Sequence, residues 1–69
     1  MKRPKWIEVW IDSSSGEYVL LLRGFEDGRM EVVDPQEQYR VIEAFNDYAD
    51  ATLWMNEDEY DLVEGRHAL

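Results

Sequence analysis

The first strand-forming segment of this chain carries large apolar side chains on both of its surfaces. From Lys5 to Asp12 the residue types alternate, which is typical of a β-strand whose successive side chains point to opposite sides. The two resulting sets are Ile7, Val9 and Ile11 on one face, and Trp6, Glu8, Trp10 and Asp12 on the other. A single helix can cover only one of these faces, so this alternation constrains every fold that the chain can adopt.

A turn cluster at residues 13–16, three serines followed by a glycine, separates this segment from a second strand-forming run at residues 17–25. A four-residue loop predicts the cross-strand pairs Ile11–Tyr18, Val9–Leu20 and Ile7–Leu22 on one face, and Trp10–Val19, Glu8–Leu21 and Trp6–Arg23 on the other. In this register the apolar residues of both strands match.

The next turn, around Asp27-Gly28, allows two loop lengths. A two-residue loop would set Leu22 opposite Val33 and turn Glu31 toward the core. A three-residue loop with Gly28 in the left-handed conformation instead gives the pairs Leu22–Val32, Gly24–Met30, Arg23–Glu31 and Phe25–Arg29. We prefer the second register, because it keeps the apolar residues together and forms a cross-strand ion pair.

Residues 34–55 have two interpretations. Asp34 as a helix cap with Pro35 after it would begin one long helix. Alternatively, residues 39–45 form a fourth strand, and a helix begins with Asp47 as its cap and Asp50 three residues later. We favour the second interpretation, because Tyr48, Ala51, Trp54 and Met55 then form a complete apolar stripe.

Together these elements predict one α+β domain spanning residues 1–69. It consists of an antiparallel β-meander of three or four strands, packed on one face by an α-helix from the C-terminal half, with a short final strand within residues 59–64. Residues 1–4 and 66–69 are expected to be loose termini.

Charge is the first feature that bears on partners. The chain has a net charge of -9, and residues 34–69 contain 10 acidic but only 2 basic side chains. Such a field repels phosphate, so we expect no direct nucleic-acid binding and no docking on anionic membranes, whereas basic protein partners are favoured. Surface acidity that serves solubility alone is the simpler interpretation.

Catalytic and cofactor motifs are lacking in the sequence. There is no cysteine, and the single histidine, His67, lies two residues from the end. The three serines lie in the predicted turn, and the four glycines are too dispersed for a phosphate loop. We therefore expect neither an enzyme nor a cofactor or metal site. The absence of cysteine, of an export signal and of a long apolar run predicts a cytoplasmic protein.

The predicted face opposite the helix is too apolar for open solvent, and this leads to the functional hypothesis. According to this hypothesis, the protein is a non-catalytic protein-interaction module and can form a homodimer. Its candidate interface is Trp6, Trp10, Val19, Leu21, Arg23 and Phe25. Coverage of this face by a terminal segment or the last strand is an equally simple interpretation. The alternative function is an acidic inhibitor of a basic partner, such as an immunity protein, an antitoxin or a nucleic-acid mimic, with the candidate surface Asp47, Asp50, Glu57, Asp58, Glu59, Asp61 and Glu64.

Overall fold

The structure is a computed structural model that describes residues 3–63 and 65–69, and it confirms the α+β class. In chain order its regular elements are β1 (Trp6–Asp12), β2 (Val19–Gly24), β3 (Met30–Asp34), a 3-10 turn (Pro35–Glu37), β4 (Arg40–Phe45), α1 (Tyr48–Glu57), β5 (Tyr60–Leu62) and β6 (His67–Ala68). The described strands form one antiparallel sheet in the order β4-β3-β2-β1-β5, and β6 also pairs with β1. The sheet therefore has more strands than predicted.

The register predicted for the β1–β2 hairpin is wrong by one residue. The observed pairs are Trp6–Gly24, Ile7–Arg23, Glu8–Leu22, Val9–Leu21, Trp10–Leu20 and Ile11–Val19. Because side chains alternate along a strand, a shift of one residue moves the whole of β1 to the opposite face relative to β2. Trp6, Glu8 and Trp10 consequently share a face with Leu20 and Leu22.

The cause of this shift lies in the turn. The Asp12 carboxylate accepts hydrogen bonds from the backbone N–H and the hydroxyl of Ser14, at 2.9 and 2.6 Å, and from the hydroxyl of Ser15 at 3.1 Å. The Asp12 N–H donates to the Tyr18 carbonyl at 2.9 Å, so five residues rather than four form the loop. Side chain to backbone bonding of this kind competes with the strand ladder and extends the turn.

The β2–β3 hairpin has the register that we preferred. Leu22 pairs with Val32, Gly24 with Met30, and Arg23 with Glu31. Gly28 has φ of 90°, in the region that favours glycine, and the Arg23 Nη2 and Glu31 Oε1 atoms are 2.7 Å apart.

The second interpretation of residues 34–55 is also the one that the structure adopts. A strand, β4, precedes the helix, and a β-bulge interrupts its pairing with β3. Asp47 caps α1, because its carboxylate accepts the Asp50 N–H at 2.8 Å.

Part of the C-terminal segment 66–69, which was expected to be loose, forms a short strand along the edge of β1. His67 and Ala68 pair with Ile7 and Trp6, and the Leu69 N–H donates to the Lys5 carbonyl at 2.9 Å. This pairing places β5 and β6 one after the other along the same edge of β1. The expectation for the N-terminal segment lies partly outside the described residues, because these exclude Met1 and Lys2.

The core joins the helix to one face of the sheet. Ala51 and Met55 of α1 are fully buried, and they belong to the same cluster as five strand residues, Trp10, Leu20, Leu22, Met30 and Val32. Trp6 and Tyr48 pack against this cluster. The helix-covered face therefore includes the tryptophans of β1, contrary to the prediction that put Ile7, Val9 and Ile11 there.

Gly24 is predicted to tolerate no side chain. A Cβ atom at this buried residue would overlap the Cε2 and Cζ2 atoms of the Trp6 indole, which lies against it. Because a packed core accommodates added volume only by strain, Gly24→Ala should lower the free energy of unfolding by about 1–3 kcal/mol. Urea unfolding measures this change.

Gly65→Ala is the matched control, since a Cβ at Gly65 would meet nothing within 4 Å. It should change the free energy of unfolding by no more than about 0.5 kcal/mol. Equal effects of the two substitutions would contradict the close packing of Trp6 on Gly24.

Candidate functional site

A carboxylate lies inside the core at the centre of β1. Glu8 is only 2% exposed, and it points to the helix-covered face because it alternates with Val9 and pairs with Leu22. Burying a carboxylate costs several kcal/mol unless other groups donate to it, so its partners decide whether this arrangement is stable.

Two neutral side chains donate to this carboxylate. The Tyr48 hydroxyl, on the first turn of α1, lies 3.0 and 2.9 Å from the two Glu8 oxygens. The indole Nε1–H of Trp10, two residues along the same strand face, donates to Oε1 at 3.2 Å. Hydrogen bonds to a charged acceptor contribute about 1.5–3 kcal/mol each, so these two bonds offset a large share of the burial cost.

The third partner is a cation from the C-terminal segment. The Nε atom of Arg66 lies 3.4 Å from Oε2 of Glu8. The guanidinium carbon of Arg66 is 3.7 Å from the ring centroid of Trp6 and 5.1 Å from that of Tyr48. Trp6 and Tyr48 themselves meet edge to face, with centroids 5.9 Å apart at 73°. We call Trp6, Glu8 and Tyr48 the cation cage.

This environment changes the acidity of the tyrosine. Burial raises the pKa of Tyr48 above its usual value, and the hydrogen bond to the Glu8 carboxylate and its negative charge raise it further, while Arg66 acts in the opposite direction. Tyr48 therefore stays protonated at neutral pH and can donate to Glu8.

The six residues predicted as one interface lie on two faces of the sheet. Trp10, 4% exposed, and Trp6 lie under the helix, where they belong to or pack against the core cluster. Val19, Leu21 and Arg23 lie on the opposite face, because they alternate with Leu20 and Leu22. Phe25 is 7% exposed and has the Arg29 guanidinium 4.7 Å above its ring. The placement of the tryptophans on an open face was therefore wrong.

The acidic residues predicted as a surface are also divided. Asp47 and Asp50 are at the start of α1, and Glu57 and Asp58 are at its end. Asp61 pairs with Ile11, on the sheet face away from the helix. Glu59 has a positive φ of 60° and its carbonyl accepts from Ser13, whereas Glu64 lies outside the described residues.

Part of this acidic set borders a surface depression beside the helix. Its lining is Phe45, Asp50, Leu53, Trp54 and Glu57, and a neighbouring depression is lined by Trp54, Glu57 and Asp58. Leu53 is 57% exposed. We call the first set the helix groove: an apolar strip with carboxylates beside it and no basic residue in the last turn of α1.

Within residues 3–63 and 65–69, no group of three or more potential metal-binding side chains is placed to hold an ion. Over the same residues, no helix has the length and apolar character required to cross a bilayer. Comparisons with protein families, with curated proteins and with solved structures find no match to this chain. The fold and site define the class, a small α+β domain with a buried carboxylate.

Sequence reasoning missed the role of three residues, Glu8, Tyr48 and Arg66. Glu8 was placed with Trp6 and Trp10 on the face away from the helix, and Arg66 was assigned to a loose tail. One signal was present: Tyr48 begins the apolar stripe of the helix, so its hydroxyl has to reach a polar group in the interior. The identity of that group depends on the register of β1.

Tyr48→Phe is predicted to be destabilising at neutral pH by about 1–3 kcal/mol, because it leaves the Glu8 carboxylate without its hydroxyl donor. The folded-state pKa of Tyr48 is raised, so its contribution is fully present below the unfolded value of about 10 and is lost as pH rises through the folded value. Denaturant unfolding of the wild type and of Tyr48→Phe from pH 7 to 12 measures this pH-dependent contribution.

The difference in unfolding free energy between wild type and Tyr48→Phe should be constant from about pH 7 to 9 and should shrink above about pH 10. A difference that stays constant to pH 12 would show that the hydroxyl is not held by the buried carboxylate.

Proposed function

We propose that this chain is a non-catalytic protein-interaction module that pairs with a second copy through the sheet face opposite α1. We call this face the open face. Its members on β1 and β2 are all partly exposed: Ile7, Val9, Ile11, Val19 and Leu21. On the far side, Val33 is already covered, at 1% exposed, and it pairs with Val41, which is 42% exposed. The absence of cysteine is consistent with action in the cytoplasm.

The observation that carries this proposal is that an aliphatic face spans the central strands while α1 is packed on the other side. Domains bury each apolar face of a sheet against another layer. Among the described residues the only α-helix has its buried side chains, Ala51 and Met55, in the cluster on the covered face. The second layer for the open face is then another protein surface, and two sheets pack well when their inner faces are aliphatic.

The charges on the open face favour a second copy over a different partner. One end bears Arg23 and Arg29 around the single carboxylate of Glu31, at 2.7 and 4.0 Å. The opposite end bears Asp61, which pairs with Ile11. When two copies pack with their strands antiparallel, the basic end of each meets the acidic end of the other. The face is therefore self-complementary, as a two-fold interface requires.

Leu21→Glu places a charge at the centre of the open face, between Val9 and Val33. It should raise the dimer dissociation constant at least about 30-fold, because removing a central contact of an interface costs about 2 kcal/mol or more. Sedimentation equilibrium at 150 and 500 mM NaCl measures this constant, and circular dichroism reports whether the variant is folded.

Leu53→Glu is the matched control, since Leu53 is exposed on the helix side, and it should leave the dimer unchanged. Val41→Glu tests the same face at a more exposed position, where the folded monomer tolerates a charge more easily. A wild-type chain that stays monomeric at several hundred micromolar, or a dimer weakened only by Leu53→Glu, would overturn the proposal.

A second candidate function is the binding of a basic partner at the helix groove, as an acidic inhibitor would do. The groove combines two apolar side chains, the exposed Leu53 and the partly buried Trp54, with the carboxylates of Asp50 and Glu57. Glu57 and Asp58 also lie at the C-terminal end of α1, where the helix dipole disfavours negative charge. Basic side chains of a partner segment would offset this unfavourable interaction between the carboxylates and the helix dipole. Apolar side chains of that partner segment would cover Trp54.

This second function predicts that an amphipathic helical peptide of leucine and lysine binds the chain and shifts the NMR signal of the Trp54 indole N–H. The affinity should fall at least about tenfold between 50 and 500 mM NaCl, because exposed charges are screened. Glu57→Gln combined with Asp58→Asn should weaken binding, whereas Glu37→Gln combined with Glu43→Gln keeps the same net charge and should bind more tightly than that variant. Equal binding by the two double variants would exclude the groove.

A further inference from the structure

The cation cage holds a guanidinium group in a prepared position. The carboxylate of Glu8 is fixed from two sides by the Tyr48 hydroxyl and the Trp10 indole N–H. The Trp6 ring lies against Gly24, where a side chain would not fit, and it meets Tyr48 edge to face. These contacts fix the three cage residues in position relative to one another, in addition to what Arg66 contributes.

The cage suits a planar cation that is always charged. Arg66 stacks its guanidinium 3.7 Å from the Trp6 ring centroid while its Nε reaches the carboxylate at 3.4 Å. Arginine combines stacking and directional hydrogen bonding in one planar group, whereas the lysine ammonium is a compact, strongly hydrated charge. Among the residues that the structure describes, Arg66 is the only basic side chain that forms an ion pair with Glu8.

The segment that supplies this cation is held much less firmly than the cage. Strand β6 has only two residues, both exposed, and the Arg66 side chain is 46% exposed although its partner carboxylate is buried. Leu69 is 70% exposed. A segment with few buried contacts opens at a small fraction of the free energy of global unfolding.

We propose that the cation cage is an arginine-recognition site for an extended, basic segment of a partner protein, and that Arg66 is its built-in occupant. The partner segment takes the place of residues 66–69 and pairs as an antiparallel strand with the start of β1, at Trp6 and Ile7. Strand addition of this kind obtains affinity from main-chain hydrogen bonds and specificity from side-chain pockets. The net charge of -9 favours the approach of a basic segment.

This site is separate from the open face, because the cage residues Trp6 and Glu8 point to the helix-covered face. Loss of dimerisation in Leu21→Glu therefore leaves the cage intact, and the two proposals fail independently. Arg66 competes with the partner segment for the cage. Because the partner has to displace Arg66, the wild type should bind the partner segment more weakly than a chain whose cage is empty.

The test uses the chain of residues 1–69 with the substitution Arg66→Ala, and an acetylated peptide with the sequence of residues 65–69. A second peptide carries citrulline, which has the shape of arginine without its charge, and a third carries lysine in the same place. Binding is followed by NMR through the Trp6 indole N–H signal. We expect the arginine peptide to bind at least about tenfold more tightly than the citrulline peptide, with the lysine peptide in between. Equal affinities, or no binding at millimolar peptide, would overturn the proposal.

Arg40→Ala is the matched control, because Arg40 is an exposed arginine at the start of β4, and this variant should bind the arginine peptide no better than the wild type. If the Arg66→Ala variant does not fold, displacement of Arg66 can be measured in the wild type through the NMR signal of the Arg66 Nε–H. Excess arginine peptide should move that signal to the position of a free side chain, and a signal that stays unchanged at saturating peptide contradicts displacement.

Discussion

The buried carboxylate of Glu8 is the constraint on which the rest of the structure depends. It can lie on the helix-covered face only because Tyr48 and Trp10 donate to it and Arg66 balances its charge. Replacing one of these partners leaves a buried charge less well satisfied, at a cost far above that of a lost surface ion pair. The Glu8 carboxylate thus couples three features of the fold. These are the position of the helix, the side chains that donate to the carboxylate, and the path of the C-terminal segment.

This coupling also explains the surfaces that remain. With Trp6, Glu8 and Trp10 directed inward, the aliphatic residues of β1 are left on the open face, where they alternate with the buried set. A tryptophan buries about 150–250 Å², so turning the two indoles inward gains more apolar burial than turning Ile7 and Val9 inward would. The sheet keeps an apolar outer surface as the consequence.

Much of the fold was predictable where the signals are local. The register of the β2–β3 hairpin follows from Gly28 and from the match of Arg23 with Glu31, and the start of α1 follows from Asp47. The β1–β2 register was not predictable, because the Asp12 side chain bonds within the turn and adds one residue to it. Of the residues predicted as one interface, Val19, Leu21 and Arg23 lie on the open face. The two tryptophans, Trp6 and Trp10, lie instead on the helix-covered face, in or against the core.

The sequence by itself determined the alternation of β1, the second hairpin, the capped helix and the concentration of negative charge in the C-terminal half. These features depend on neighbours within a few residues, whose preferences act before any tertiary contact forms. Only the tertiary structure decided which face of β1 is covered and what Arg66 does. Both depend on Glu8 meeting a hydroxyl 40 residues away and a cation from the last five residues, and such partners are brought together by packing rather than by spacing along the chain.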